Sequence, residues 1–332
     1  MRLEERTIET ALGAILAHNV ADASGRRVLK KGTRLAAEHL AQLDGLGCTT
    51  VSVAVLDLDD VHEDEAAAQL GAALETEHLR AGQPAGGRVN LHAEVDGLLA
   101  VDAQRLMALN TLPGITLATR TQRAMVGPGQ ETDMAATLKI IPYAVPQADL
   151  ERALALARGR PGLLELWPVP AGRRVALLAT GEPATLDRVR EDFVPPTRAR
   201  IERLGGALVA VETAIQDVAA IREATARLAA SAELVIVAGQ TSIMDEDDTT
   251  LAALRAAGAE GIVYGAPVEP GNLLALAYLS AGTPVLCAPG CARSPKPNVI
   301  DLVLPRLLAG ERLGREEVAA LGLGGLLGKL DM

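Results

Sequence analysis

Short, almost uninterrupted apolar runs alternate with amphipathic segments between residues 174 and 308. The runs include RVALLAT at 174–180, ALVAVET at 207–213, ELVIVAG at 233–239 and TPVLCAP at 283–289. Runs of this kind are typical of strands buried on both faces, and the segments between them have the apolar period of helices. The pattern therefore predicts an α/β domain of three layers, in which helices cover both faces of a mostly parallel sheet.

Within this domain we predict one further strand, GIVYG at 261–265, and several helices. One helical segment is expected on each side of the pair Pro195-Pro196, because proline interrupts the backbone hydrogen bonds of a helix. The remaining helices are predicted at 217–230, 249–257, 271–281 and 298–308.

The first 172 residues predict a mixed α+β region, so we expect two domains, 1–172 and 173–332. Ile8, Leu12, Ile15 and Leu16 fall on one face at helical spacing and predict a helix, whereas TTVSVAVL at 49–56 predicts a strand. An acidic run at 57–65 and a glycine-rich run at 81–88 indicate a connector with one helix. Short strands between glycine and proline turns are expected at 88–145, followed by a helix at 147–158.

Charge and composition exclude several function classes. The net charge is −10 and aromatic residues make up 2% of the chain, so neither a basic face nor a set of stacking rings is available for nucleic acid. No apolar run approaches the roughly 20 residues of a membrane-spanning helix, and the first residues lack the apolar core of a signal peptide. Three cysteines are too few for a disulfide framework, which indicates a cytoplasmic protein.

The predicted ligand site lies in the loops that follow the strands. Ligands of open parallel sheets bind at the carboxyl ends of the strands, and glycine- or proline-containing loops follow strands at residues 180, 239, 266 and 289. Gly239 with Thr241 and Ser242 offers N–H and hydroxyl donors to an anion, and Arg293 with Ser294 offers a guanidinium and a hydroxyl. A phosphate-bearing polar heterocycle fits this set of groups.

The acidic cluster at 245–248 has two interpretations. Asp245 and its neighbours could bind Mg²⁺, which prefers one or two carboxylates together with substrate phosphates. Alternatively, the cluster only caps the helix predicted at 249, since negative charge stabilises a helix N-terminus. Cys287 and Cys291 are four positions apart, but one such pair without histidine is a weak metal signal, and Cys287 is expected to end a buried strand. The five histidines show no paired spacing.

The loops resemble those of the MoeA/MogA-type molybdopterin-binding family. In that family the first strand ends T-G-x-E, the central loop reads S-G-G-x-S-x-G-x-x-D, and later loops read P-G-K-P and L-P-G-N-P. The corresponding segments here are TGE at 180–182, AGQTSIMDED at 238–247, PVEP at 267–270 and APGCA at 288–292. Residues 9–20 and 30–53 also resemble MoeA. The likeness extends furthest to an uncharacterised MoeA-like subgroup, on PVEPGNLL at 267–274 and PGCARSPKPN at 289–298.

The resemblance implies that the chain binds molybdopterin, or its adenylylated or cytidylylated form, in molybdenum cofactor biosynthesis or delivery. If the protein is an enzyme, the family implies a Mg²⁺-dependent transfer at the pterin phosphate, with Asp247 as the catalytic acid and Asp245 and Asp247 as metal ligands. The residues that the resemblance assigns to the pterin are Thr180, Gly181, Glu182, Gly239, Gln240, Thr241, Ser242, Pro267, Glu269, Pro270, Pro289, Gly290, Cys291, Arg293 and Ser294.

Among the positions that depart from the family pattern, three bear on the binding of a phosphate: Gln240 and Met244 replace glycines of the central loop, and Glu269 replaces a lysine. These changes favour a second hypothesis, a non-catalytic carrier or insertion chaperone that serves a molybdoenzyme or a nucleotidyltransferase. Some members of the subgroup are joined to a nucleotidyltransferase domain. A third hypothesis is an unrelated small anionic ligand. The resemblance also implies a homo-oligomer.

Overall fold

The computed structural model describes residues 1–327; residues 328–332, which end the predicted second domain, lie outside them. The chain separates into two compact units, Met1–Pro168 and Val169–Met332. No helix of the described chain is long and apolar enough to cross a membrane.

The first unit is mainly antiparallel. Its helices are α1 (Ala37–Gly45), α2 (Glu63–Leu74), α3 (Ala103–Asn110) and α4 (Gln147–Ala157). Its strands are β1 (Arg2–Thr7), β2 (Ile15–Leu16), β3 (Val20–Ala21), β4 (Arg27–Leu29), β5 (Thr50–Val55), β6 (Asp60–His62), β7 (Leu79–Ala81), β8 (Arg88–Ala93), β9 (Gly97–Val101), β10 (Ile115–Thr119), β11 (Met125–Val126), β12 (Met134–Ile140), β13 (Ala144–Pro146) and β14 (Leu164–Pro168).

The helix predicted over residues 8–16 is wrong. Only Ile8–Thr10 forms a 3-10 helix, and Gly13 has a φ of 79°, a left-handed conformation that turns the chain. Ile15 and Leu16 then form β2, which pairs antiparallel with β5. Both side chains are buried. They lie in different hydrophobic clusters, because neighbouring residues of a strand point to opposite faces. The helical interpretation had placed them on one face.

The predicted connector at 57–88 belongs instead to the hydrophobic core. Helix α2 buries Ala66, Leu70 and Leu74 against β7 and β8. The helix lies very close to β8, since a Cβ added to Gly71 would be 2.9 Å from a Val89 methyl group. Small side chains, which look like a flexible linker in the sequence, are what allow this close approach.

The acidic residue Glu63 of that segment is buried and forms an ion pair with Lys139, 3.1 Å away. Lys139 also donates to the carbonyl of Gly86, within the first unit. An unpaired buried carboxylate would be costly, so this pairing is what permits Glu63 to lie in the core.

The second unit contains a mostly parallel sheet, as predicted, but the sheet has six strands where five were predicted; their order is β16-β15-β17-β20-β19-β18. The strands are β15 (Arg174–Gly181), β16 (Ala207–Ile215), β17 (Leu234–Gly239), β18 (Glu260–Tyr264), β19 (Ala275–Tyr278) and β20 (Pro284–Ala288). The helices are α5 (Leu186–Arg203), α6 (Val218–Ala229), α7 (Thr249–Ala256), α8 (Val299–Leu308) and α9 (Arg315–Ala319).

Two predicted helices of this unit require correction. Residues 186–203 form one continuous helix through Pro195 and Pro196, because side chains on both sides of the prolines, among them Val189 and Ile201, pack into the core. The helix predicted at 271–281 is instead strand β19, antiparallel to both β18 and β20. Each residue of β19 is buried, and a strand buried on both faces has no polar period to distinguish it from a helix.

Candidate functional site

The loops predicted to form the site do lie at one edge of the sheet. Strands β15, β17 and β20 are parallel neighbours, so their carboxyl ends share an edge. Strand β18 reaches the same edge, because two successive antiparallel pairings, β18 with β19 and β19 with β20, restore its direction. The loops that begin near residues 180, 239, 265 and 289 therefore meet at this carboxyl edge.

The loop after β15 is joined to the loop after β17 through Gln240. The Gln240 backbone N–H donates to the carbonyl of Thr180, 2.8 Å away. The side-chain Oε1 of Gln240 accepts from the Glu182 N–H at 3.1 Å and lies 2.7 Å from the Thr185 hydroxyl. Gln240 thus fills the space over Gly181, where an added Cβ would be 3.2 Å from the Gln240 Cβ. Thr180 is fully buried, and its hydroxyl has no hydrogen-bond partner within residues 1–327.

The loops after β17 and β20 are joined by Ser242 and Arg293. The Ser242 Oγ accepts from the Gly290 N–H at 2.9 Å. Arg293 donates from Nη2 to the carbonyl of Gln240 at 2.7 Å, and its guanidinium lies 5.0 Å from the centre of the Phe193 ring. The sequence predicted that this guanidinium would face an anion, but its Nη2 bonds the backbone. Its Nε is buried without a partner in the described residues.

The remaining residues of the loop after β20 make local contacts. Pro289 precedes a 3-10 helix at Gly290–Arg293, and the Ser294 N–H donates to the carbonyl of Cys291. The Ser294 Oγ accepts from the Lys296 N–H at 3.1 Å. Thr241, in the loop after β17, is exposed and offers its hydroxyl to solvent.

The loop after β18 places Pro267 and Glu269 at the same edge, and both are exposed. The Pro270 carbonyl accepts from the N–H of Val299, the first residue of α8. Gly271 has a φ of 132° and leaves no room for a side chain, because an added Cβ would lie 2.5 Å from the Val299 Cβ. This tight contact fixes the loop against the start of α8.

In the acidic cluster at 245–248, one carboxylate caps a helix and others are exposed to solvent. Asp248 is the N-cap of α7, and its carboxylate accepts from the Thr250 N–H at 2.7 Å, so the capping interpretation holds for this residue. Asp245 accepts from the Asp247 N–H at 2.9 Å, and both of these side chains are exposed. Within residues 1–327 no group of three or more histidine, cysteine, aspartate or glutamate side chains is arranged to hold a metal.

Sequence reasoning missed Arg200, which braces the loop after β20. Arg200 is 4% exposed and donates to the carbonyls of Ala292, Ser294 and Lys296 at 2.8–3.1 Å. Its Nε donates to the Asp301 carboxylate at 3.1 Å. The signal was present in the sequence, since Arg200 falls at helical spacing from Val189, Phe193 and Thr197 on the buried face of α5. An arginine on a buried face needs partners.

The two cysteines of this unit have thiols that resist ionisation. Burial raises the pKa of the Cys287 thiol to about 12, and it also raises the pKa of the Cys291 thiol. A thiol reacts with alkylating reagents as the thiolate. We therefore expect iodoacetamide at pH 8 to modify half-exposed Cys48 first in the native chain, Cys291 slowly, and Cys287 only after denaturation. Peptide mass spectrometry would measure the order; rapid modification of native Cys287 would contradict it.

A separate cleft of about 160 Å³ lies at the opposite, amino-terminal edge of the sheet. Arg173, Glu233, Tyr278 and Arg312 line it. Arg173 forms an ion pair with Glu233 at 2.7 Å. The predicted site residues lie at the other edge, so this cleft is not the predicted site.

Comparison with known families and structures gives two family matches. Residues 176–309 match the family described as "Probable molybdopterin binding domain". Residues 5–55 match a domain of unknown function, DUF8806. No curated protein sequence matches the chain.

Among solved structures, a molybdenum cofactor biosynthesis protein from Pyrococcus furiosus is 14% identical, with a TM-score of 0.26 over 94% of this chain. This chain spans 66% of that protein, just under two thirds. The molybdopterin biosynthesis MoeA protein from Pyrococcus horikoshii is 15% identical over 95% of this chain and 76% of its own, with a TM-score of 0.31.

The molybdopterin biosynthesis enzyme MoaB from Thermus thermophilus is 16% identical over 42% of this chain and 98% of its own, with a TM-score of 0.29. Structural similarities with TM-scores this low support no conclusion about the present chain. The match to the family model is informative, because the matched residues run from β15 to α8 and include all the loops of the carboxyl edge. The part of the chain that holds the carboxyl edge, residues 176–309, is therefore similar to the family of probable molybdopterin-binding domains.

Proposed function

We propose that the second unit binds molybdopterin, or its nucleotide form, at the carboxyl edge of its sheet, in molybdenum cofactor biosynthesis or delivery. The observation that carries the proposal is that loops within the matched family domain meet at this edge and are joined to one another by Gln240, Ser242 and Arg293. Parallel α/β sheets bind ligands at this edge. We also propose that the chain forms a homo-oligomer and acts in the cytoplasm.

The loops offer a pterin mainly polar backbone groups and a few side chains. Thr241 and Glu269 are exposed at the edge, whereas the Thr180 hydroxyl and the Arg293 Nε, which have no partners in the described part of the chain, are buried beneath it. A pterin ring carries both hydrogen-bond donors and acceptors, so it can pair with such a mixed set. Pro267 and Pro289 would limit the movement of their loops, which favours a preformed pocket.

An enzymatic role would require a divalent cation at Asp245 and Asp247. These two exposed carboxylates fit Mg²⁺ only if the ligand supplies phosphate oxygens and water completes the shell, as is usual for Mg²⁺. Bound there, the cation would neutralise phosphate charge during a transfer. Asp247 would hold the cation, and the carboxylate of Asp245 would orient the Asp247 backbone, whose N–H it accepts.

A carrier or insertion chaperone is the second candidate function, and the side chain of Gln240 favours it. This side chain takes up the Glu182 N–H that could otherwise bind a phosphate oxygen. Glu269 adds negative charge to the same edge. Both features weaken the binding of a reacting phosphate but leave backbone groups for a pterin ring. The partner would be a molybdoenzyme or a nucleotidyltransferase.

The first test is mass spectrometry of the full chain purified from a host that makes molybdenum cofactor. We expect denaturation to release an oxidised pterin in about equimolar amount. If no pterin is released, and added molybdopterin does not bind in a titration, the proposed function is wrong. If pterin is released, turnover assays with ATP or molybdate separate the two candidates, because a carrier binds its cofactor without converting it.

The role of Asp247 is tested by Asp247→Ala in the same titration, with and without Mg²⁺. If Asp247 holds the cation, the dependence of pterin affinity on Mg²⁺ should disappear, a loss of about tenfold for one charged ligand. Glu246→Ala is the matched control, because Glu246 is a neighbouring exposed carboxylate. Equal Mg²⁺ dependence in the wild type and in Asp247→Ala would remove the metal assignment.

A further inference from the structure

The start of α5 has the elements of an anion site. α5 is an 18-residue helix whose N-cap, Thr185, makes no side-chain capping bond, so the first N–H groups of the helix lack that partner. The Glu182 N–H and the Thr185 hydroxyl lie just before the helix. The positive end of a helix dipole together with such donors favours a negatively charged oxygen. We call Gly181, Glu182 and Thr185 the α5 corner.

A side chain of the protein already fills this corner. The Oε1 of Gln240 lies 3.1 Å from the Glu182 nitrogen and 2.7 Å from the Thr185 Oγ1. A Cβ added to Gly181 would be 3.1 Å from that same Oε1, so the oxygen is packed directly against the backbone. A neutral amide oxygen therefore occupies the place where an oxygen of an anionic ligand would accept from the Glu182 N–H. The Thr185 hydroxyl has one proton and two acceptors, this amide oxygen and the Glu182 carbonyl 2.9 Å away.

Hydrogen bonds hold the backbone of Gln240 at both its N–H and its carbonyl. Its N–H donates to the Thr180 carbonyl at 2.8 Å, and its carbonyl accepts from Arg293 at 2.7 Å. The Arg293 guanidinium is itself placed against the Phe193 ring. To leave the corner, the side chain of Gln240 would have to rotate about its own bonds, because the backbone is fixed.

The surrounding charges also oppose an anion. Glu182 and Glu269 are exposed carboxylates on loops of the carboxyl edge, and Asp245 and Asp247 extend the negative charge along the loop after β17. The guanidinium of Arg293, which lies next to Gln240, donates to backbone carbonyls of Gly239 and Gln240. A phosphate entering the corner would lose water, and the Arg293 donors that bond these two carbonyls are already engaged.

We propose that Gln240 is a specificity-determining residue, which excludes phosphate and other oxyanions from the α5 corner. The ligand of the carboxyl edge then places an uncharged group at this corner and carries its phosphate elsewhere. The inference rests on the proposed function only for the identity of that ligand. The exclusion of anions is a property of the chain itself and can be measured with inorganic ions.

The test is isothermal titration of the full chain with inorganic phosphate and with molybdate. We expect the wild type to show no saturable binding of either ion. Gln240→Ala and Gln240→Ser should show saturable binding, with an affinity at least about tenfold above the weakest that the titration detects, because the freed donors can then bond a charged oxygen. Gln240→Glu, which keeps the size and adds charge, should not gain binding. Gln69→Ala, at an exposed glutamine of the first unit, is the control for a general effect of losing a glutamine.

A second measurement needs no variant. Hydrogen exchange of the wild type should show a protected Glu182 amide, unchanged by added phosphate, because Gln240 remains its acceptor. The proposal is overturned if the wild type binds phosphate as tightly as folded Gln240→Ala, or if the Glu182 amide exchanges freely until phosphate is added. Neither readout involves a pterin, so a failure of pterin binding would be seen separately.

Discussion

Replacing Arg200 with methionine should lower the free energy of unfolding of the second unit by about 3–5 kcal/mol, because it breaks a buried ion pair by removing one partner. Methionine has nearly the length of the arginine stem but no donors. The carbonyls of Ala292, Ser294 and Lys296 would lose the guanidinium that now bonds them. Urea unfolding, with hydrogen exchange followed in peptides that cover β15, would measure the loss.

Arg203→Met is a matched control, since Arg203 also donates to the Asp301 carboxylate, at 2.9 Å. Its side chain is 62% exposed, and an exposed pair contributes only about 0–1 kcal/mol. We expect Arg200→Met to lower the free energy of unfolding several-fold more than Arg203→Met does. A similar small change in both would show that Arg200 does not brace the loop.

The same variant connects stability to the site. Arg200 holds the segment 292–296, which contains Ser294 and adjoins Cys291 of the predicted pocket. In Arg200→Met we therefore expect faster hydrogen exchange in this segment even where the rest of the unit is still folded. A loop of the candidate site is thus positioned by a residue more than 90 positions earlier in the chain. The spacing along α5 marks Arg200 as buried, but it does not show which loop Arg200 bonds.

The sheet of the second unit could be predicted because its strands are continuous apolar runs with clear turns between them. Strand β19 could not, because alanine, leucine and tyrosine buried on both faces give no period. Pro195 and Pro196 were expected to divide α5, and only packing on both sides of them explains why the helix continues. The boundary at residue 172 and the three-layer arrangement remain predictions.

The candidate site could also be predicted only in part. The meeting of its loops follows from strand direction, which the alternation of strands and helices implies. The direction in which a side chain points could not be predicted from that alternation. Arg293 was predicted to face a ligand, and it bonds the backbone of Gln240 instead. Gln240 differs from the family glycine by sequence, but only the structure shows that its amide oxygen takes the Glu182 N–H.

The second large effect is expected for Gly271→Ala, which should destabilise the second unit by about 3 kcal/mol through overpacking and backbone strain combined. An added Cβ would lie 2.5 Å from the Val299 Cβ and 3.0 Å from the Val299 nitrogen. The φ of 132° is also unfavourable for any residue other than glycine. Relief would require moving the loop that carries Pro267 and Glu269 away from α8.

Gly282→Ala separates the two causes, because Gly282 also has a positive φ, 84°, but an added Cβ there would have no atom within 4 Å. Backbone strain alone should cost about 1–2 kcal/mol at that position. Urea unfolding of both variants gives the difference between their losses in free energy of unfolding, and this difference measures the overlap with Val299.

The same two variants can be compared in pterin binding. If Gly271→Ala binds pterin less well than Gly282→Ala at a temperature where both are folded, the contact between Pro270 and α8 positions the site as well as stabilising it. Equal stability of the two variants would mean that the loop after β18 can move away from Val299 at little cost, and that its place at the carboxyl edge is not fixed by this contact.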